Sequence, residues 1–192
     1  MFIESITKEA LADLPLHAFE GEILVVENET QLKSAVNYLK EQDIIGFDTE
    51  TKPSFKRGQV HWVALLQLAT NDKAFLFRIN KIGLPDSLKA LLTDEHIMKV
   101  GVAIRDDIKA LQKINSFIPK GFIELQDEVQ DYGIQDFSLK KMTGIVLGFR
   151  ISKSQRLSNW EADELTEGQQ IYAATDAWVS YGIFSSLINT ES

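Results

Sequence analysis

Cysteine is absent from this chain of 192 residues, which excludes disulfide bonds and thiolate metal sites. The absence agrees with a reducing compartment, and we expect a cytoplasmic protein. No apolar run approaches the roughly 18 residues that a membrane-spanning helix needs. Residues 1–5 have neither the basic start nor the apolar core of a signal peptide. With 44% hydrophobic and 25% charged residues, the composition is typical of a soluble globular protein.

Several common catalytic motifs are missing as well. The sequence has no glycine-rich phosphate-binding loop and no Gly-x-Ser-x-Gly nucleophile motif. Nucleotide-driven motors and serine hydrolases are therefore not expected. The three histidines, His17, His61 and His96, stand in no metal-ligand spacing and are interpreted as structural.

The charge distribution tells more than the net charge of −8. An acidic protein is not expected to coat nucleic acid without specificity. Two segments, 51–71 and 138–156, nevertheless contain basic residues and no acidic ones. Solvated loop charge is the alternative for either segment, but together they suit a protein that binds a short stretch of polyanion. The predicted nucleic-acid contacts are Lys56, Arg57, Lys153 and Arg156.

Strand and helix signals alternate along the chain. They predict one α/β domain in which helices pack on a mixed sheet. Strands are expected at 22–27, 44–50, 62–69, 73–79, 97–103 and 122–125. Helices are expected at 4–14, 29–41, 85–92, 106–114, 138–147 and 166–189. Thr166 and Gln169 form a capping-box signature for the last helix.

Asp48 and Glu50 end a strand that is otherwise apolar. Because side chains alternate along a strand, both carboxylates are expected on one face and Thr49 on the other. Two like charges beside a buried strand are costly unless a cation compensates them. Carboxylate oxygens are natural ligands for Mg²⁺ or Mn²⁺. The pattern therefore indicates a divalent metal site, with a solvated strand end as the alternative.

Further acids lie on predicted helices. Asp106 and Asp107 open the helix after the strand at 97–103, where an acid either caps the helix or does chemistry. Spacing alone leaves that choice open. Tyr172 and Asp176 are four residues apart on the last helix and share a face. A surface Tyr–Asp pair is the alternative to a site there.

Taken together, these residues resemble a known family. Phe47-Asp48-Thr49-Glu50 is similar to the first motif of the DEDD superfamily of 3′–5′ exonucleases. The run from Val100 to Leu111 resembles the second motif, and Tyr172-Ala173-Ala174-Thr175-Asp176 resembles the third, in the tyrosine subtype. The likeness covers about residues 44–188 and is stronger to Werner-type exonuclease domains than to RNase D. We expect residues 1–20 to be an N-terminal extension and 21–192 to be the exonuclease domain.

The resemblance implies an RNase H-like fold and a metal-dependent exonuclease that releases nucleoside 5′-monophosphates. It implies that Asp48 bridges two ions, Mg²⁺ or Mn²⁺, that Glu50 and Asp176 complete the site of the water-activating ion, and that Asp107 holds the second ion. Tyr172 would orient the attacking water. The family alignment assigns catalysis to Asp107, which leaves Asp106 as the helix cap. Closeness to the Werner-type group favours DNA over RNA as the substrate.

Two other functions stay open. One is an inactive nucleic-acid-binding module on the same fold, and the other is a phosphohydrolase for small nucleotides. The set of four acids disfavours the first, since a module that only binds phosphate gains nothing from clustered negative charge. The two basic segments disfavour the second.

Overall fold

Strand pairing joins segments that are far apart in the chain. The computed structural model describes residues 2–56 and 58–190. Within these ranges six strands form one mixed sheet in the order β1-β4-β3-β2-β5-β6. The strands are β1 (Glu22–Val26), β2 (Ile44–Thr51), β3 (Val63–Ala69), β4 (Lys73–Phe77), β5 (Met98–Gly101) and β6 (Phe122–Glu124). β2 and β3 are antiparallel neighbours at the centre, and β5 and β6 continue from β2 as parallel strands.

Helices cover both faces of this sheet. They are α1 (Lys8–Asp13), α2 (Glu29–Leu39), α3 (Ile79–Ile82), α4 (Asp86–Thr93), α5 (Ile104–Ile114), α6 (Leu125–Asp131), α7 (Leu139–Leu147) and α8 (Glu167–Thr190). Side chains of α2, α4 and α5 share one apolar core with the sheet, and α8 packs in separate clusters on β3 and β4. β3 is buried at every position as a result. The predicted mixed sheet with flanking helices in one domain is confirmed.

The long helix α8 is enclosed by the rest of the domain. Its start has the predicted capping box, in which the Thr166 N–H donates to Gln169 Oε1 at 3.0 Å and the Gln169 N–H donates back to Thr166 Oγ1 at 3.3 Å. Six consecutive residues, 172–177, are buried. A polar side chain in this stretch therefore lies inside the protein and needs partners there.

Gly46 allows α8 to approach β2 closely. A Cβ atom at this position would come within 1.8 Å of the Ala177 carbonyl oxygen. Ala173, Ala174 and Ala177 present small side chains on the same helix, and all three are fully buried. This close contact brings the middle of α8, including Asp176, directly onto β2.

Several boundaries differ from the sequence prediction. α6 was not expected, because its charged sequence has no apolar period, and its buried residues Leu125 and Val129 are identified only by packing. The strand predicted to reach Ile79 ends at Phe77, where the short helix α3 follows. No helix in the described ranges is long and apolar enough to cross a membrane.

The N-terminal segment packs against the domain. Ile6, Leu11 and Phe19 are buried. The Phe19 N–H donates a hydrogen bond of 3.0 Å to Thr175 Oγ1 on α8. A domain boundary at residue 20 stays a prediction.

Candidate active site

Three carboxylates meet where β2 lies against α8. Asp48 and Glu50 come from β2 and Asp176 comes from α8. One carboxylate oxygen from each of the three lies within 4.8 Å of the others. The side chains of β2 alternate as expected, since Thr49, between the two acids, binds Asp107 and not the cluster. We call Asp48, Glu50 and Asp176 the carboxylate cluster.

Asp107 borders this cluster without belonging to it. It lies in the first turn of α5, and Thr49 Oγ1 donates a short hydrogen bond to its Oδ1. The charge of Asp107 nevertheless reaches the cluster, because it contributes to raising the pKa of both Asp48 and Glu50. The fourth acid of the motif pattern therefore acts electrostatically on both β2 carboxylates.

The start of α5 is held by Glu124 at the end of β6. The N-cap residue of α5 is Ala103, which has a left-handed backbone with φ of 57°. The Glu124 carboxylate accepts hydrogen bonds from the Ala103 N–H at 2.8 Å and the Ile104 N–H at 2.9 Å. A left-handed alanine is strained by about 1 kcal/mol, and these two bonds compensate for that strain. Glu124 thereby fixes the turn that carries Asp107.

The prediction that Asp106 caps α5 is wrong. Asp106 lies inside the first turn, is exposed, and forms an ion pair of 3.3 Å with Lys109 one turn later. The N–H groups of Ala103 and Ile104 at the helix start are bound by Glu124 from β6 rather than by Asp106. Asp106 therefore contributes only a surface charge near the helix N-terminus.

Burial dominates the electrostatics of the acids on the strand and on α5. Burial, followed by the charges of Asp176, Glu50 and Asp107, raises the pKa of Asp48 well above its usual range. Burial and then the charges of Asp176 and Asp107 raise the pKa of Glu50 to about 8. Burial also raises the pKa of Asp107 to about 6, against the hydrogen bond from Thr49. Each value reports that negative charge is unfavourable here unless a cation compensates it.

Two neighbouring groups partly stabilise the negative charge of Asp176. Burial raises its pKa to about 7, whereas a hydrogen bond from the Tyr172 hydroxyl and the positive charge of Lys153 lower it. Neither partner neutralises the whole cluster. A donor set made entirely of carboxylate oxygens, with more negative charge than its neighbours balance, fits a divalent ion such as Mg²⁺ or Mn²⁺.

Tyr172 faces the cluster from the preceding turn of α8. Burial, and then the charges of Asp176 and Glu50, raise the pKa of its phenol further above the ordinary value of 10. The ring of Trp160 packs against it with 6.0 Å between ring centroids, and Trp160 is fully buried. The phenol is therefore held in place as a neutral hydrogen-bond donor.

The predicted basic contacts have different surroundings. Lys153 and Arg156 are exposed in the loop that leads to α8, and the charge of Lys153 reaches Asp176. Lys56 is exposed in the connection between β2 and β3. Arg57 lies outside the described residues. Two other basic residues of these segments form ion pairs within the fold: Lys52 with Glu161 at 3.3 Å and Lys141 with Asp136 at 2.6 Å.

Sequence reasoning missed the residues that support this site. Glu124 carried no signal, because the backbone groups it binds are about twenty residues away in the chain. Gln67 did carry one, as a lone polar residue in the apolar run of β3. In the sheet it pairs with Asp48.

Comparisons with known proteins agree with this arrangement. A family model described as 3′-5′ exonuclease matches residues 23–190. The mouse protein named bifunctional 3′-5′ exonuclease/ATP-dependent helicase WRN is 36% identical over 157 residues, which are 79% of this chain and 11% of that protein. This chain therefore spans a small part of that relative's length.

Solved structures show the same fold. Escherichia coli RNase D, described as an exoribonuclease involved in structured RNA processing, superposes with a TM-score of 0.77 at 25% identity, over 88% of this chain and 44% of that one. An EXD2 exonuclease domain soaked in Mg and GMP is 29% identical with a TM-score of 0.51, over 88% of this chain and 90% of that one. The fold is RNase H-like, as predicted. From the family match over most of its length, the chain belongs to the 3′–5′ exonuclease family of the DEDD superfamily.

Proposed function

We propose that this chain is a metal-dependent 3′–5′ exonuclease. It hydrolyses phosphodiester bonds from the 3′ end of nucleic acid and releases nucleoside 5′-monophosphates. The observation that carries the proposal is the carboxylate cluster, whose oxygens lie within 4.8 Å of one another in a domain of this family. Exonuclease or exoribonuclease activity stands in the names of the similar WRN and RNase D proteins.

The four acids divide into roles for two divalent ions, Mg²⁺ or Mn²⁺. Bound ions of this kind stabilise the attacking and leaving oxygens of an in-line displacement at phosphorus. Asp48 would help to hold both ions, because the charges of all three other acids act on its carboxylate. Glu50 and Asp176 would help to hold one ion from within the cluster, and Asp107 would help to hold the other from α5.

Tyr172 orients the attacking water through its hydroxyl. A phenol whose pKa is raised above 10 keeps its proton at neutral pH and cannot serve as a general base. It can donate a hydrogen bond, and its contacts with Asp176 and Trp160 restrict where that hydroxyl points. Tyr172 thus acts by position rather than by proton transfer.

Exposed basic side chains bind the nucleic-acid strand that is the substrate. Lys153 is the best supported contact, since it is exposed and its charge reaches Asp176. Arg156 and Lys56 are exposed in neighbouring loops, and Arg57 stays a prediction from the sequence. The preference for DNA also stays a prediction. RNA is the alternative, since the similar Escherichia coli protein is described as acting on RNA. Cytoplasmic localisation rests on the lack of cysteine alone.

Polarity of digestion tests the proposal directly. Matched DNA and RNA oligonucleotides, labelled at the 5′ or the 3′ end, are incubated with Mg²⁺ and with Mn²⁺. We expect 5′-labelled strands to shorten stepwise and 3′-labelled strands to release a labelled mononucleotide at once. Asp48→Ala should abolish both, because it removes the ligand shared by the two ions.

Other outcomes identify the alternative functions. Binding of the oligonucleotide without cleavage in either metal would indicate a nucleic-acid-binding module. Hydrolysis of small nucleotides with intact oligonucleotides would indicate a phosphohydrolase. Equal cleavage by the wild type and Asp48→Ala would contradict the assignment of the site.

A further inference from the structure

Gln67 is a buried amide with no hydrogen-bond partner. Its side chain is fully buried in β3. Neither Oε1 nor Nε2 has a partner among the described residues. Buried side-chain amides almost always have partners, because an unpaired one loses its interactions with water and gains nothing in return. An amide that is unpaired at both ends therefore still has its hydrogen-bonding capacity to offer to a neighbouring polar group.

The register of the sheet places Gln67 beside Asp48. The two residues are direct partners in the β2–β3 ladder, so their side chains lie on the same face of the sheet, about 5 Å apart at Cβ. That face is covered by α8. The neighbouring positions of β3 on this face are Leu65, opposite Glu50, and Ala69, opposite Gly46. Gln67 is therefore the polar member of an otherwise apolar row.

Asp48 can accept the hydrogen bond that Gln67 offers. One of its oxygens, Oδ1, already accepts the Thr49 N–H at 2.9 Å. A carboxylate has about four lone-pair positions, so a second donor can bind it and still leave lone pairs for metal ions. A glutamine amide reaches roughly 4 Å from its Cβ, which spans the distance between paired residues after a change of side-chain torsions.

We propose that Gln67 is a positioning residue for Asp48. Its amide donates a hydrogen bond to the Asp48 carboxylate when that group is ionised and holds a metal ion, and so fixes which lone pairs face the ion. The inference rests on the proposed metal site. Partners of this kind, one step removed from the metal, commonly change metal affinity by about 10–100-fold.

Variants that remove the Gln67 amide distinguish a role in positioning Asp48 from a role in packing. Gln67→Leu and Gln67→Met replace the amide by an apolar side chain of similar size, and Met keeps the unbranched shape if Leu packs poorly. We expect calorimetric titration with Mn²⁺ to show a dissociation constant roughly 10–100-fold weaker than wild type. Urea unfolding in EDTA should show metal-free stability equal to or above wild type, because an unpaired buried amide has been removed.

Thr143→Val is the matched control. Thr143 is fully buried in α7, and its hydroxyl donates to the Leu139 carbonyl of its own helix at 2.7 Å. This exchange also removes a buried polar group, but away from the carboxylate cluster, so Mn²⁺ affinity should stay at the wild-type value.

Two results would overturn the inference in different ways. If the wild type binds Mn²⁺ and folded Gln67→Leu and Gln67→Met bind it equally well, Gln67 does not position Asp48, and the proposed function is untouched. If the wild type binds no Mn²⁺, the proposed function fails and this inference fails with it.

Discussion

Replacing Glu50 by glutamine should stabilise the metal-free protein at neutral pH. The exchange keeps the shape of the side chain and removes its charge. In the folded protein burial and the neighbouring charges of Asp176 and Asp107 raise the pKa of Glu50 to about 8, compared with an ordinary value of 4.5. The wild-type fold therefore holds a proton at this position that the unfolded chain releases.

The sign and size of the effect follow from that difference in pKa. A carboxyl group with a raised folded-state pKa contributes its full stability below pH 4.5 and loses it as the pH rises towards 8. At about 1.4 kcal/mol per pH unit, the free energy of unfolding should fall by roughly 3 kcal/mol between pH 4.5 and 7. The glutamine variant has no such group, so it should match wild type at pH 4.5 and exceed it by roughly 3 kcal/mol at pH 7.

Urea unfolding in EDTA at these two pH values measures the effect. Glu41→Gln, at an exposed acid just after α2, is the matched control and should leave the wild-type pH dependence unchanged. Added Mn²⁺ should reverse the order of stability, because a ligand that binds only the folded state stabilises it in proportion to its affinity, and the variant has lost one ligand.

Two results would refute this reasoning. Glu50→Gln could be less stable than wild type in EDTA at pH 7, which would mean that the ionised carboxylate makes a favourable contact in the metal-free fold. Alternatively, the difference between the two proteins could be the same at both pH values, which would mean that it comes from packing and not from charge.

Three further predictions concern catalysis. Tyr172→Phe should lower kcat on the order of a hundredfold while thermal stability holds; wild-type cleavage in single-turnover kinetics would reduce Tyr172 to a packing residue. Asp107→Asn should cost orders of magnitude in rate, whereas Asp106→Asn should keep activity and cost at most about 1 kcal/mol in thermal or urea unfolding; the reverse pattern would shift the motif by one residue. Replacing Lys153 and Arg156 together by alanine should raise KM and flatten its salt dependence, since fewer counterions are released on binding. An unchanged KM at low and high salt would mean that these bases are only solvated loop charge.

Local patterns accounted for much of the site. The spacing of Asp48 and Glu50 in a strand requires a shared face, because side chains alternate with a period of two. Thr166 and Gln169 form their capping box from local geometry alone, and the structure has it. Structural features that depend only on residues close together in sequence can be predicted from the sequence.

Contacts across the sheet could not be predicted in this way. Asp106 had the right position for a helix cap, but the groups that needed capping are bound by Glu124 from β6. Lys52 stands in the acid-free segment 51–71, yet it pairs with Glu161 from the loop before α8. In each case the partner is chosen by strand order and helix packing, which composition and periodicity do not contain.

The sequence by itself determined the periodicity of apolar residues in each strand and helix. It also determined the positions of the acids along β2, α5 and α8, and the excess of negative charge that makes a bound cation favourable. Only the tertiary structure decided that these acids meet. The approach of α8 to β2 over Gly46 brings Asp176 within 4.8 Å of Asp48 and Glu50, and the β2–β3 register sets Gln67 beside Asp48. The physical reason is burial. A carboxylate has an ordinary pKa on an isolated strand or helix. When packing removes its water and places other carboxylates beside it, its negative charge becomes unfavourable unless a cation binds.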